Sequence, residues 1–149
     1  MKHPKGFLIV LLILLTSIFI AYKSGKKKSL KNNKLLINDI EFIGLIKSYK
    51  ISWNHGFTII SVDILKSNAS TFNADLKDKL FPYTLKSGKA EIYTILGERS
   101  KEIGDTIKVI SNKRLLILNL KDGKKDTIRI QMITEKPDIS FITKNTSLK

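Results

Sequence analysis

One short stretch of the sequence interleaves basic and aromatic side chains at a spacing that could bind a ligand. Its candidate residues are Lys47, Tyr49, Lys50, Trp53 and His55. Aromatic rings stack on the bases of single-stranded nucleic acids, and basic side chains neutralise phosphates. The competing interpretation is structural, because a tyrosine in a strand and the single tryptophan of a small domain are usually buried. Nucleic acid is therefore the less favoured partner for this stretch.

The rest of the sequence holds little that could catalyse a reaction or bind a cofactor. His55 is the one histidine beyond the N-terminal tail, and its setting, "WNHGF", is typical of a turn rather than of a catalytic base. The chain has no cysteine, which excludes thiolate metal sites, cysteine nucleophiles and disulfides. It contains no glycine-rich phosphate loop and no G-x-S-x-G elbow. We therefore expect a protein that is not an enzyme and that needs no cofactor or metal.

The formal net charge of +14 is concentrated towards the ends of the chain. Residues 1–37 hold eight lysines and no acid, whereas all thirteen acids lie between Asp39 and Asp138, beside fourteen lysines and three arginines. The middle of the chain is thus only mildly basic. Lysine lacks the bidentate geometry of arginine, so its excess is a weak argument for phosphate or guanine recognition.

The N-terminal region contains sixteen almost wholly apolar residues, Phe7 to Tyr22. A helix of that length is about 24 Å long, and a bilayer core is about 30 Å thick, so flanking residues must complete a span predicted over residues 6–23. Residues 1–5 form a short tail before it. Signal peptidase requires small residues at positions −3 and −1 of its cleavage site. No site near Ala21 or Gly25 has a small residue at both positions, which favours an uncleaved anchor. A secreted protein with a cleaved signal peptide is the alternative.

Six lysines follow the apolar run within residues 23–34. They allow three interpretations: a topology signal that places the following domain in the cytoplasm, a contact with anionic lipid, or a solvated linker over residues 24–36. The linker is favoured, and the tail before the span has too few charges to fix the side of the membrane. The predicted membrane-interface residues are Lys5, Tyr22, Lys23, Lys26, Lys27 and Lys28.

Short apolar runs between turn signals predict a β domain over residues 37–136. Residues 57–65 form the clearest amphipathic strand, with Ile60, Val62 and Ile64 on one face. The other predicted elements are strands at 37–53, 106–110, 114–120 and 127–133, a hairpin at 81–96, one or two helical turns at 74–81, a loop at 97–105 and a hairpin turn at Asp122-Gly123. Pro137 ends the regular part, so residues 137–149 are predicted to form a loose tail.

The fold class is predicted to be mainly β, a small antiparallel barrel or sandwich after one N-terminal transmembrane helix. Gly44 interrupts its strand and predicts a bulge or a bend. The stretch "FIGLIKSYK…GFTIISVDI" with the later "EIGDTIKVIS" resembles the first hairpin and the Gly-Asp turn of OB-like and SH3-like barrels. The chain also resembles small bacterial proteins with one N-terminal anchor and a compact β domain. These resemblances cover residues 38–133 and imply no catalytic residue.

These observations lead to two hypotheses of function, and an enzyme is a third possibility that would require a cleft in which several acids converge. The first is a single-pass membrane protein, predicted for a bacterial inner membrane, whose β domain binds a protein, an envelope component or a lipid headgroup without catalysing a reaction. The second is a nucleic-acid-binding barrel tethered to the membrane. Membrane lipid, contacted through the anchor, is the one partner that both hypotheses share.

Overall fold

The computed structural model describes residues 4–96, 102–120 and 123–148, without the side chains of residues 4–6 and 8. Most of the predicted loop at 97–105 lies outside the described residues, as do Asp122, the side chain of Lys5 and the final residue of the predicted tail. The chain divides into two compact units, residues 1–34 and residues 35–149.

The first unit is one helix, α1, which runs from Pro4 to Leu35. Its apolar part is long and apolar enough to cross a membrane, and none of it is buried. A signal sequence near an N-terminus has the same character. Thr16 and Ser17 donate hydrogen bonds to carbonyls one turn earlier, which satisfies both hydroxyls inside the helix.

The linker predicted over residues 24–36 is helical as far as Leu35. Lysine and leucine are good helix formers, the segment has no proline, and Gly25 is its single glycine. The basic part of the chain therefore continues the apolar helix. We call this basic part, residues 23–35, the stalk.

In its described residues, the second unit has one antiparallel sheet of eight strands, a small separate hairpin, one α-helix and a short 3-10 helix at Ser111–Lys113. The sheet has the order β10-β9-β8-β1-β2-β7-β6-β3, and β4 pairs only with β5. The elements are β1 Glu41–Ile51, β2 Phe57–Ser67, β3 Thr71–Phe72, β4 Asp75–Leu76, β5 Lys79–Leu80, β6 Tyr83–Lys86, β7 Lys89–Ile95, β8 Thr106–Ile110, β9 Leu115–Asn119, β10 Lys125–Arg129 and α2 Lys136–Asn145. A mainly antiparallel β domain after an apolar helix is confirmed.

The sheet is strongly curled, although its described strands form no closed barrel. No pairing joins the outermost strands, β10 and β3, among the described residues. Three strand spacings separate β1 from β6, which is about 14 Å in a flat sheet. The rings of Phe42 on β1 and Tyr83 on β6 nevertheless meet edge to face, with centroids 6.1 Å apart. The curl therefore encloses a core between distant strands.

Each face of the sheet has its own hydrophobic core. The inner cluster lies inside the curl and comprises Ile40, Phe42, Ile46, Ile60, Val62, Tyr83, Leu85, Ala90, Ile92, Leu96, Ile107, Val109, Leu116, Leu118 and Ile130. The outer cluster lies on the other face, where α2 and β5 cover β2 and β7, and comprises Phe57, Ile59, Ala74, Leu80, Tyr93, Ile133 and Ile142. Because both faces of its first half are covered, β2 begins with four buried residues in a row.

The bulge predicted at Gly44 is confirmed. The pairing of β1 with β2 shifts register between Ile43 and Gly44, and again between Ile46 and Ser48. A Cβ atom on Gly44 would overlap the Val62 side chain and the Asp63 carbonyl. Glycine is thus required here because β2 passes too close for any side chain, and the bulges bend and twist β1.

Three predicted segments differ in the structure. Helical turns predicted at 74–81 are wrong, because this stretch forms the β4–β5 hairpin, which Leu80 joins to Ile133 through a pair of backbone hydrogen bonds. The loose tail predicted after Pro137 is also wrong, because that proline lies in the first turn of α2. Proline is tolerated there, since the first turn has no internal partner for its missing N–H group. The last predicted strand ends at Arg129 rather than at residue 133.

Replacement of Gly44 by alanine should destabilise the domain by about 2–3 kcal/mol, because the new methyl group must displace β2 or flatten the bulge. Urea unfolding of the fragment 35–149 would measure the loss. Ser48→Ala, an exposed position of the same strand, is the control and should change stability by less than about 0.5 kcal/mol. Equal effects of the two substitutions would contradict the close approach at Gly44.

Candidate functional site

The turn between β1 and β2, residues 51–56, is an ordered protrusion that we call the hairpin tip. Ser52 N donates to the Phe57 carbonyl at 2.7 Å, and Phe57 N donates to the Asn54 carbonyl at 2.9 Å. His55 and Gly56 both have left-handed backbone conformations, with φ of 50° and 68°. The turn is therefore closed by its own hydrogen bonds and by two residues in the conformation that reverses the chain.

Helix α2 holds the hairpin tip from the side. Asn54 Nδ2 donates to Oδ1 of the buried Asp138 at 2.9 Å, in the first turn of α2. At the other end of the helix, Lys50 Nζ donates to the Asn145 carbonyl at 2.7 Å. An acid near the helix N-terminus and a cation at its C-terminus both suit the helix dipole. The rings of Phe57 and Phe141 meet edge to face between these two bonds.

Trp53 projects from the hairpin tip into solvent. Its relative exposure is 105%, and that of its neighbour Ile51 is 56%. The expectation that the single tryptophan belongs to the core is therefore wrong. The indole packs against neither the inner nor the outer cluster, because the turn places it beyond the end of the two strands. A large, fully exposed aromatic ring on an ordered turn is the type of side chain that dominates binding interfaces.

The structure does not bring the five predicted ligand-surface residues onto one surface. Tyr49 faces the inner cluster and pairs with Ile60, whereas Lys50 pairs with Ile59 on the outer face. Burial raises the pKa of the Tyr49 hydroxyl, and the negative charges of Asp105 and Glu102 raise it further. Lys47 lies beside Asp63, with Nζ 3.3 Å from Oδ2. Only Trp53 and His55 share the hairpin tip, with Lys50 below them.

A cleft of ≈ 690 Å³ opens on the outer face between the β3–β6 edge of the sheet and α2. Its lining combines apolar side chains with four threonines and with the polar residues Asn73, Asp75 and Lys86. The lining includes Thr71, Phe72, Leu80, Thr84, Tyr93, Ile142, Thr143, Thr146 and Leu148. Sequence reasoning missed this cleft because one wall is α2, which was predicted to be disordered.

One wall of the cleft is fastened by a buried carboxylate, Glu91 on β7, which is 2% exposed. Its Oε1 accepts hydrogen bonds from Ser147 N at 2.8 Å and Ser147 Oγ at 2.6 Å. Its Oε2 accepts from Thr146 Oγ1 at 2.5 Å and from the Tyr93 hydroxyl at 3.2 Å. Burial raises the pKa of Tyr93, and the adjacent Glu91 charge adds to this effect. Four donors thus compensate a charge taken out of water.

The described residues contain no group of three or more histidine, aspartate or glutamate side chains that could hold a metal ion. His55 is exposed on the hairpin tip, far along the chain from Glu91 and the cleft. Comparison of the chain with protein-family models, with curated proteins and with solved structures gave no match. The likeness to OB-like and SH3-like barrels therefore stays a prediction.

Removal of the Trp53 side chain should leave the stability of the fragment 35–149 within about 0.5 kcal/mol of the original, because the indole makes no packing contact that unfolding would lose. Phe57→Ala, in the same hairpin but buried, should cost about 3–5 kcal/mol. Trp53 is the only tryptophan, so fluorescence reports on it alone and should show the emission of hydrated indole. A blue-shifted spectrum, or a large loss of stability in Trp53→Ala, would contradict its exposure.

Ser147→Ala should lower stability by about 1–2 kcal/mol, because the buried carboxylate of Glu91 loses one donor. Combining it with Glu91→Gln should give a double-mutant cycle with clear non-additivity, measured by urea unfolding. Ser140→Ala, exposed on α2, is the matched control and should add independently to Glu91→Gln. Simple additivity for Ser147 would contradict an energetic coupling between its hydroxyl and the Glu91 carboxylate.

Proposed function

We propose that this chain is a single-pass membrane protein whose β domain is a non-enzymatic binding module, held beside a bacterial inner membrane by α1. The hairpin tip is its contact surface, and the partner is a protein or another envelope component. The observation that carries the proposal is the complete exposure of Trp53 on an ordered turn. The helix α1, long and apolar enough to span a bilayer, supports the membrane attachment.

The energetics of the hairpin tip favour a binding role. Burying a tryptophan against a partner commonly contributes about 2 kcal/mol or more to an interface. Little of this gain would be offset by ordering, since the turn is already fixed by Ser52, Asn54 and the Asn54–Asp138 hydrogen bond. Ile51 extends the apolar surface and Lys50 adds a charge below it. Exposed aromatic, aliphatic and basic groups together suit a partner with an apolar pocket and an acidic rim.

The position of the hairpin tip within the domain also favours a partner molecule. The chain enters the domain at the buried Leu36, just before β1 begins at Glu41. The tip lies at the other end of β1, about 33 Å away for eleven residues of extended strand. It is therefore at the end of the domain that is free of the covalent tether, where a bulky partner can approach.

The alternative, a membrane-tethered nucleic-acid-binding barrel of OB-like or SH3-like type, has less support. It needs Tyr49 and Trp53 on one stacking surface, and Tyr49 packs against the inner cluster instead. It also relies on a closed barrel, whereas the described strands leave β3 and β10 unpaired with each other. The secreted form with a cleaved signal remains the alternative to membrane attachment.

A photoreactive phenylalanine analogue at position 53, activated in intact cells, should give a discrete crosslinked product in the membrane fraction. The same analogue at Thr127, which is exposed on β10, is the control and should give none. Mass spectrometry of the product would identify the partner, and the N-terminal peptide of the chain should still be present. Identical patterns at the two positions would overturn the tip as contact surface. A soluble product that lacks the apolar segment would overturn the anchor.

A further inference from the structure

The stalk carries five of its six lysines as a stripe along one side of the helix, and Lys28 lies outside this stripe. Lys23, Lys27, Lys31 and Lys34 are spaced by four, four and three residues, which brings them into line on an α-helix. At 3.6 residues per turn, these four and Lys26 fall within an arc of about 140°. The opposite side consists mainly of small or neutral residues, Gly25, Ser29, Asn32 and Asn33, together with Lys28. A topology signal or a solvated linker requires lysines but does not require that they share a side.

The stripe has no compensating charge within its helix. No acid occurs before Asp39 in the sequence. Like charges at spacings of three and four residues destabilise an isolated helix by about 0.2–0.5 kcal/mol per pair, and the stripe contains several such pairs. An anionic surface laid along the stripe would remove this repulsion. Helix formation in the stalk and anion binding should therefore be coupled.

The stripe begins where the apolar part of α1 ends, so a bilayer surface is the nearest extended anion. Helical side chains lean towards the N-terminus of their helix, and Lys23 does so, with Nζ 4.7 Å from the centre of the Phe19 ring. On an upright helix, Lys34 would lie about 17 Å beyond Lys23, which is more than a Debye length at physiological salt. Ser24 and Gly25, between Lys23 and the other lysines of the stripe, are the kind of pair at which helices bend.

We propose that the stripe is a binding site for anionic phospholipid headgroups. On an anionic bilayer, the stalk bends at Gly25 and lies along the surface, with the stripe facing the headgroups. This inference rests on the membrane insertion of α1 in the proposed function, but not on the hairpin tip. Five aligned lysines match a surface that carries many separate phosphate charges, because each ammonium group can pair with a different headgroup. The opposite side of the stalk then faces water, and the end of α1 stays close to the bilayer.

The test uses the full chain reconstituted in lipid vesicles. Leu35→Cys gives a unique cysteine at the end of α1, because the sequence contains no other. A fluorophore on this cysteine would be about 18 Å beyond Lys23 on an upright stalk and a few ångströms from the headgroups on a lying one. Headgroup-labelled nitroxide lipid should quench it when about a third of the lipid is phosphatidylglycerol. Quenching should be weak in phosphatidylcholine alone and in about 1 M salt, where the Debye length falls to about 3 Å.

Two variants of equal charge separate the stripe from net charge. The first variant should lower the equilibrium constant for binding of the stalk to the bilayer surface about a hundredfold. It combines Lys27→Gln, Lys31→Gln and Lys34→Gln. The second variant should leave the quenching unchanged. It combines Lys77→Gln, Lys125→Gln and Lys136→Gln, all at exposed positions of the β domain. Equal quenching in both lipids, or equal losses in both variants, would overturn the proposal while leaving the hairpin-tip crosslink unaffected. Stripe-dependent binding of a single-stranded oligonucleotide, with no response to phosphatidylglycerol, would overturn it in favour of nucleic acid. Failure of the chain to remain in the vesicles would overturn the membrane anchor itself.

Discussion

The close approach of β1 and β2 at Gly44 is the constraint on which the domain depends. The backbone of β2 comes so near that Gly44 has no room for a side chain, and the register shifts on both sides of this point bend β1. A bent central strand lets the sheet curl until Phe42 reaches Tyr83, three strands away. The inner cluster exists because of this curl, since a flat sheet of the same strands would leave its residues on an open surface.

The outer face explains why the hairpin tip is ordered. Helix α2 packs on the sheet through Ile142 and Phe141, and its ends are fixed by Asn54 and Lys50. The segment after it is fastened to Glu91, so the whole cover is tied to the central strands β1, β2 and β7. Trp53 is thereby presented on a supported turn rather than on a loose loop.

Local patterns in the sequence predicted local features of the fold. The alternation of Ile60 and Val62 with polar residues identified β2, and Ser87 and Gly88 adopt the left-handed conformations that their hairpin turn requires. The glycine within β1 predicted the bulge. Features that depend on distant partners were not predictable. Pro137 is as compatible with a helix start as with a helix end, and only the outer face decides between them. For the candidate site, the sequence singled out Trp53 and His55, but neither the exposure of the indole nor the inward turn of Tyr49 has a local signal.

The bonds that close the outer face also set the order in which the chain can fold. The strands of the β1–β2 and β6–β7 hairpins are joined by short turns, so these pairs can form early. Three contacts of α2 and the segment after it join residues far apart in the sequence, and each requires the sheet to be in place. They are Asn54–Asp138 over 84 residues, Lys50–Asn145 over 95 residues and Glu91–Ser147 over 56 residues. We therefore expect α2 to dock after the sheet has formed. Without α2, the side chains of Phe57, Ile59 and Tyr93 would be exposed on the sheet, and exposed apolar surface of this kind favours aggregation.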